Sequence, residues 1–287
     1  MGCFLSVSEQ QHLYTVPVDR TEHSDFNTKR STFFVDTRNH LWKVQKDESK
    51  DEILSCYRNN VTIKDMKPHS RILKPLSVIH SKNSVITSMN LGSSDLFNII
   101  HERFDWDFIR NELVHLADAI HFLHKNGVAH RDIKPENIIL YQGHLRWIDW
   151  DFCYPLSNRV YCGTVDFMCP RTVSSEWNCS ASAFSRKMDV YAFGKLIFAI
   201  FWQAAKHEML NQKRFILHAF HCDCLTKRNT TFSGTWSSWA NIAMLCISRT
   251  PPESIPIYLA QTSTGATDDV IADLADLEVL DADESFA

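Results

Sequence analysis

The chain has 287 residues, 44% of them apolar and 22% charged, enough to bury one large domain or two lobes that share a core. Its net charge of -4 conceals an acidic end: residues 267–287 carry eight acids and no base, which leaves the rest near +4 by difference. That balance argues against a nucleic-acid partner. Nine scattered cysteines and no secretory or membrane-crossing apolar run suit a reducing, cytosolic setting. The sequons at Asn60, Asn178 and Asn229 are then incidental.

The first element is "MGCFLS". Gly2 with Ser6 satisfies the N-myristoylation pattern, and Cys3 stands where a palmitoyl thioester follows. Two acyl chains hold a membrane where one does so only marginally. Three strand-like runs come next: "LYTVPV" (13–18), "STFFVD" (31–36) and "HLWKVQ" (40–45), with "TRN" breaking the last two. "EHSDFN" lies between the first two, and no glycine occurs between Gly2 and Gly92. "KDEILSCYR" opens a helix at Glu52. Residues 107–126 then place Leu113, Leu116, Ala117, Ile120 and Leu123 on one helical face. Gly127 supplies a left-handed stop, and "VAHRDIKPENIIL" follows as a loop entering a strand. Gly143 turns that strand into "HLRWI", which runs directly into "DWDFC".

The complete signature H-R-D-[LI]-x-x-x-N in residues 130–137 resembles the eukaryotic-type protein kinases. The likeness spans residues 13–258, most strongly 107–200. It implies an α+β, bilobal protein kinase-like fold with a β-rich small lobe (13–89) and a helical large lobe (90–258). An acylated segment (1–12) and an acidic tail (259–287) would flank it. ATP and Mg²⁺ would be the cofactors, and Ser/Thr hydroxyls of protein substrates the acceptors. By this resemblance Asp132 accepts the hydrogen bond of the substrate hydroxyl, Lys134 stabilises the transferred phosphoryl group, and Asn137 reaches a metal ion. Lysine at this place, followed by "PEN", is similar to the serine/threonine class.

Two registers offer a metal-binding aspartate. In the first, Asp149 follows "HLRWI" at the family spacing, Trp150 is the packed aromatic and Asp151 replaces a glycine; in the second, Asp151 itself is the metal ligand. The first is preferred. "YCGTVDFMCPR" resembles the end of an activation segment, with Thr164 bonding Asp132 and Lys134. "DVYAFGKLIFAIF" resembles the buried central helix, whose Asp189 would hold the catalytic loop. Arg131 suggests a phosphate-sensing pocket.

In the small lobe Lys43 falls where the ATP-phosphate lysine sits, with Lys46 as the alternative. "EHSDFN" then occupies the phosphate loop with Phe26 at its tip, and Glu22, Ser24 and Asn27 stand in place of glycines. Backbone N–H groups approach phosphate less closely there, so restoring glycine is expected to lower the Michaelis constant for ATP more than it changes turnover. Glu52 is the expected ion-pair partner of Lys43, and Glu48 the alternative. Met89 is the expected gatekeeper, and Asp95 is expected to face the ribose or substrate.

The leading reading is an active serine/threonine kinase, and the competing one a catalytically weak pseudokinase serving as a membrane-tethered scaffold. Such terse small lobes resemble those of kinases encoded by large DNA viruses, herpesviruses among them, which would place the protein on the cytoplasmic side of host membranes. "IADLADLEV" in the tail fits both a nuclear export signal, with shuttling through an export receptor, and an amphipathic helix docked on its own domain. His218, His221, Cys222 and Cys224 lack a zinc-site spacing. Arg171 replaces the glutamate that usually ends the activation segment, and a swapped ion pair with Glu253 is expected.

Overall fold

A computed structural model describes residues 31–257 and Leu259, apart from 47, 48, 82, 103, 211, 212, 214, 215 and 217–234. The expectations at Gly2, Cys3, the first strand, the loop containing Phe26, Glu48, the His218–Cys224 group and the acidic tail lie outside the described residues.

The two β-rich runs after residue 30 form an antiparallel pair, β1 (Ser31–Val35) and β2 (His40–Lys46). Asp36 fixes the turn between them by accepting from the backbone N–H groups of Arg38 and His40 and from Trp42 Nε1. β3 (Ser77–Ser81) and β4 (Ser84–Asn90) complete a sheet of order β1-β2-β4-β3. Helix α1 (Lys50–Asp65) covers one face, and Ile53 and Cys56 pack on Val85 of β4. This lobe has a thin core.

The large lobe begins at β5 (Ser94–Asp95) and α2 (Leu96–Glu102), followed by α3 (Trp106–Lys125). Leu113, Leu116, Ala117, Ile120 and Leu123 are all buried, as their spacing requires. Each leucine and isoleucine among them is worth about 1.5–3 kcal/mol when fully buried. Gly127 adopts φ +79° after α3, and β6 (Val128–Ala129) follows. β7 (Ile138–Tyr141) and β8 (His144–Trp147) form a hairpin whose two turn residues, Gln142 and Gly143, both have positive φ. That is the two-residue turn that matches strand twist. Glu112 of α3 fastens the hairpin: it pairs with Arg71 at 3.0 Å and accepts the Leu145 N–H at 2.7 Å.

β9 (Tyr154–Pro155) pairs with β6, and the short α4 (Arg171–Ser174) closes the following segment. α5 (Ala181–Lys206) is buried nearly all round, because α6 (Thr235–Cys246) and the rest of the lobe enclose it. Gly194 permits that packing: a Cβ there would stand 2.6 Å from the Cys246 Cβ and 2.9 Å from the Ala243 carbonyl oxygen. No described helix is long and apolar enough to cross a membrane. The arrangement is the expected α+β bilobal one.

One expected contact is corrected here. Arg171 does not pair with Glu253. It is exposed and lies over the Tyr161 ring, 5.0 Å from its centroid. Glu253 instead accepts from Arg186 at 2.5 Å, an arginine one helical turn into α5 that reaches the late loop directly. Arg171 needs no acid because it is never buried.

Candidate active site

The loop between β6 and β7 is held from below by Asp189. Its carboxylate, wholly buried in α5, accepts the backbone N–H of His130 at 2.9 Å and of Arg131 at 2.7 Å, and pairs with His124 at 2.8 Å. Burial alone raises a carboxyl pKa, but the His124 hydrogen bond and charge outweigh it, so Asp189 stays below the usual range. Arg131 is bent to φ +67° to meet it, a conformation that costs energy in a non-glycine residue and needs such an anchor. The Arg131 guanidinium lies beneath the activation segment. It donates to the Pro155 and Asn158 carbonyls and to Ser185 Oγ.

On this platform four polar side chains converge. Thr164 donates both its N–H, at 2.9 Å, and its hydroxyl, at 2.7 Å, to Asp132 Oδ1. Lys134 Nζ donates to Thr164 Oγ1 at 2.8 Å and lies 3.0 Å from Asp132 Oδ2. Asn137 Nδ2 donates to the Asp132 carbonyl and to Asp132 Oδ2. The expected contact of Thr164 with Asp132 and Lys134 is therefore present. Gly163 makes it possible, since its φ is +124° and a Cβ would lie 2.3 Å from the Arg131 carbonyl oxygen.

Across the cleft, Lys43 is buried in the middle of β2, while Lys46 is exposed at the strand end. Lys43 Nζ bonds Asp149 Oδ1 at 2.9 Å and Asp151 Oδ2 at 2.6 Å. Burial disfavours its charge, but the two carboxylates more than offset that and raise its pKa. For Asp149 the balance is mirrored: burial opposes ionisation, Lys43 favours it, and its pKa is lowered. Asp149 has φ +63° and its side chain is 31% exposed toward the cleft. Asp151 is less open, with 12% of its side chain exposed, and also bonds α1. Trp150 between them is fully buried and donates its indole N–H to the Leu73 carbonyl.

Glu52 is not the partner of Lys43. Ser49 caps α1 by accepting the Glu52 N–H, which makes Glu52 the third helical residue and leaves it exposed. A serine followed three places on by glutamate is a helix-start device, and that reading of "SKDE" explains the misplacement. Met89 is buried in β4 on the same face as Thr87, which pairs with Lys43. Asp95 caps α2: its two oxygens accept from the N–H and Nδ2 of Asn98. Both oxygens thus have partners within its own turn, and burial raises its pKa.

Residues 39–260 match the protein kinase domain family. The chain belongs to that family. Among curated proteins the kinase is 28% identical over 165 residues to Aurora kinase B-A of Xenopus laevis, covering 55% of this chain and 44% of that one. It is 27% identical over 174 residues to the Aurora kinase of Saccharomyces cerevisiae, with 58% and 46% covered. A MAP kinase-interacting serine/threonine-protein kinase 2 of Xenopus laevis matches at 28% over 151 residues, with 45% and 32% covered. The chain spans less than half the length of these relatives. They and the "DIKPEN" run support the serine/threonine class.

The family uses Mg²⁺ and ATP, and the residues present fit both. Both amide hydrogen bonds of Asn137 go to Asp132, so its Oδ1 is left for a cation. Asp149 Oδ2 accepts no hydrogen bond among the described residues. Two hard oxygens of this kind suit magnesium. Reading the sequence did not find Cys56, Asn59 and Asn60 on α1, all three of which bond Asp151. The available signal was a pair of asparagines on a helix that carries no inward-facing acid.

Proposed function

We propose that this chain is an active serine/threonine protein kinase that transfers the γ-phosphoryl group of Mg·ATP to hydroxyls of protein substrates. The observation that supports it best is the closed set of contacts among Asp132, Lys134, Asn137 and Thr164, facing Lys43 and Asp149 across the cleft. Bound Mg·ATP supplies the electrophilic phosphorus and neutralises its oxygens. The protein supplies orientation and charge. Asp132 accepts the hydrogen bond of the incoming hydroxyl and so orients the hydroxyl oxygen, which is the nucleophile. Lys134, fixed by Thr164, sets a positive charge beside the group in transfer. Lys43 offers a second ammonium at the small-lobe wall, and Asn137 and Asp149 would hold the metal.

The decisive assay follows labelled phosphate from ATP into generic Ser/Thr acceptors. Wild type is expected to transfer it, and Asp132→Asn to lose about 10²–10⁴-fold in turnover with folding intact. Asp149→Asn should abolish magnesium-dependent nucleotide binding. A wild type that neither binds Mg·ATP nor transfers phosphate would establish the scaffold reading instead.

We further propose acylation at Gly2 and Cys3 and attachment to the cytoplasmic side of membranes, on the "MGCFLS" pattern. Gly2→Ala should shift the protein to the soluble fraction, and no shift would refute it. Deleting residues 267–287 should cause nuclear accumulation if the tail engages an export receptor; an unchanged distribution favours docking on its own domain. A viral source is inferred from the terse, glycine-free small lobe.

A further inference from the structure

Asp151 stands where a kinase's metal loop ordinarily carries glycine, yet its carboxylate is bonded to both β2 and α1. Oδ2 accepts from Lys43 Nζ at 2.6 Å. Oδ1 accepts from Cys56 Sγ at 3.2 Å and from Asn60 Nδ2 at 3.0 Å. Its backbone carbonyl accepts from Asn59 Nδ2 at 2.8 Å. Residues 56, 59 and 60 are spaced i, i+3, i+4 and so share one face of α1. That face is turned to the lysine, and the one acid on it, Glu52, is exposed at the helix start and does not reach Lys43.

We propose that Asp151 is the positioning residue for Lys43, supplying from the metal loop the carboxylate that the kinase pattern places on the small-lobe helix, and that the Cys56–Asn59–Asn60 face binds α1 to that loop through it. The proposal rests on the kinase reading above. Asp151 is not a metal ligand in this arrangement, since both of its oxygens are committed and only 12% of its side chain is exposed. Asp149, two residues earlier, keeps the cleft-facing position. The thiol of Cys56 acts as a neutral donor: burial, and then the charge of Asp151, push its pKa upward, so it remains protonated beside the carboxylate. In a kinase of the usual pattern the helix can swing away and break the lysine's pair. Here the carboxylate travels with the metal loop, so the lysine, α1 and the loop form one body.

The test exchanges the two architectures. Asp151→Gly should lower kcat/KM for ATP by about tenfold or more, mostly through KM, because an interaction that orients the ground-state complex is lost. Its dependence on free Mg²⁺ should stay as in wild type, unlike that of Asp149→Asn. Adding Cys56→Glu to Asp151→Gly returns an acid to the helix, and it should recover most of the loss. Cys56→Glu alone should impair the enzyme by crowding three carboxylates around one ammonium.

Rates of amine-selective labelling at Lys43 form a second arm that needs no activity. Labelling should rise severalfold in Asp151→Gly, because the amine loses the carboxylate that holds it at 2.6 Å, and fall back in the double variant. If Asp151→Gly is poorly folded, Asp151→Asn serves in both arms, with a smaller effect in the same direction. Unchanged KM and labelling in the single variant would overturn the proposal, as would a double variant no better than Asp151→Gly. A shift in Mg²⁺ dependence on losing Asp151 would overturn it too, by making Asp151 the metal ligand. Should wild type transfer no phosphate, the labelling arm still decides this point, and only the kinase reading falls.

Discussion

The catalytic loop and the lysine corner face each other across one cleft, yet they are built in different ways. Asp132, Lys134 and Asn137 lie within one turn of chain, and their anchors, Thr164 and Asp189, come from the same lobe. Each follows the family pattern. The lysine corner joins β2, α1 and the segment after β8, and there the pattern is broken twice: no acid comes from the helix, and an acid replaces the glycine. The kinase pattern is kept where it is local and departed from where it is assembled from distant segments. A set of neighbours in sequence tolerates little change, whereas a lysine can accept its counter-charge from any direction that geometry allows.

The largest expected effect attacks the rigid side. Asp189→Ala would strand the His130 and Arg131 N–H groups and the His124 ring without their buried acceptor. At about 1–3 kcal/mol for each unsatisfied donor, thermal or chemical denaturation should reveal a severe loss, and activity should vanish with it. A mild effect would mean that the loop holds its shape unaided.

Lys43→Met is the matching cut on the rebuilt side. It leaves Asp149 and Asp151 facing each other without a cation. Removing one partner of a buried pair costs about 3–5 kcal/mol, and the lower end is expected because Asp149 is partly open to the cleft. Nucleotide affinity should fall sharply. If Asp151→Gly were added, stability should partly recover, since the repulsion it relieves is then the dominant defect.

A smaller effect depends on pH. His130 is buried against Trp147 and Trp150 and donates from Nε2 to the Ile148 carbonyl, while Nδ1 accepts the Asp132 N–H. Burial, opposed by Asp189 and Asp132, holds its pKa below 6.5. The folded value is depressed, so its contribution is complete above the unfolded value of 6.5 and is lost as pH falls below it. Unfolding curves between pH 7 and 5 should show this loss, and His130→Asn should flatten the slope. An unchanged slope would place the titration elsewhere.

The smallest effect concerns the late loop. Arg186→Ala should cost under about 1 kcal/mol, since Glu253 is half exposed. Arg171→Glu should be close to neutral, and a large loss there would show that Arg171 is more than a lid over Tyr161.

What could be read from the sequence follows the same division. The long helix with its Gly127 stop and the hairpin at Gly143 rest on local pattern, the bilobal fold and the Asp132–Thr164 contact on the resemblance to kinases, and each was legible. Lys43 was legible because "LWKV" resembles the kinase strand that carries the ATP-phosphate lysine. Its partner was not: Glu52 looked right by motif, but three residues after Ser49 it serves the start of the helix. The true partner lies 108 positions away, and only the surplus acid in "DWD" and the adjacent asparagines of "CYRNN" pointed to it. The Arg171 reading failed for a related reason. A charge reversal suggests a reversed partner only if the site stays buried, and exposure cannot be read from the charge.

Holding the counter-charge of Lys43 on the metal loop rather than on the helix also limits the order in which the two arrangements can be interchanged. In any lineage passing between the two architectures, losing the helix acid first leaves a buried lysine facing Asp149 alone, with α1 unattached. Gaining Asp151 first places three negative groups around one ammonium beside the site for a polyanion. The first route weakens the hold on nucleotide, and the second repels it. A neutral donor such as Cys56 makes the present state tolerant, because it accepts the acid's presence without adding charge. The two positions therefore form a ratchet: once Asp151 is in place and bonded to the helix, an acid introduced at position 56 is harmful until Asp151 is gone.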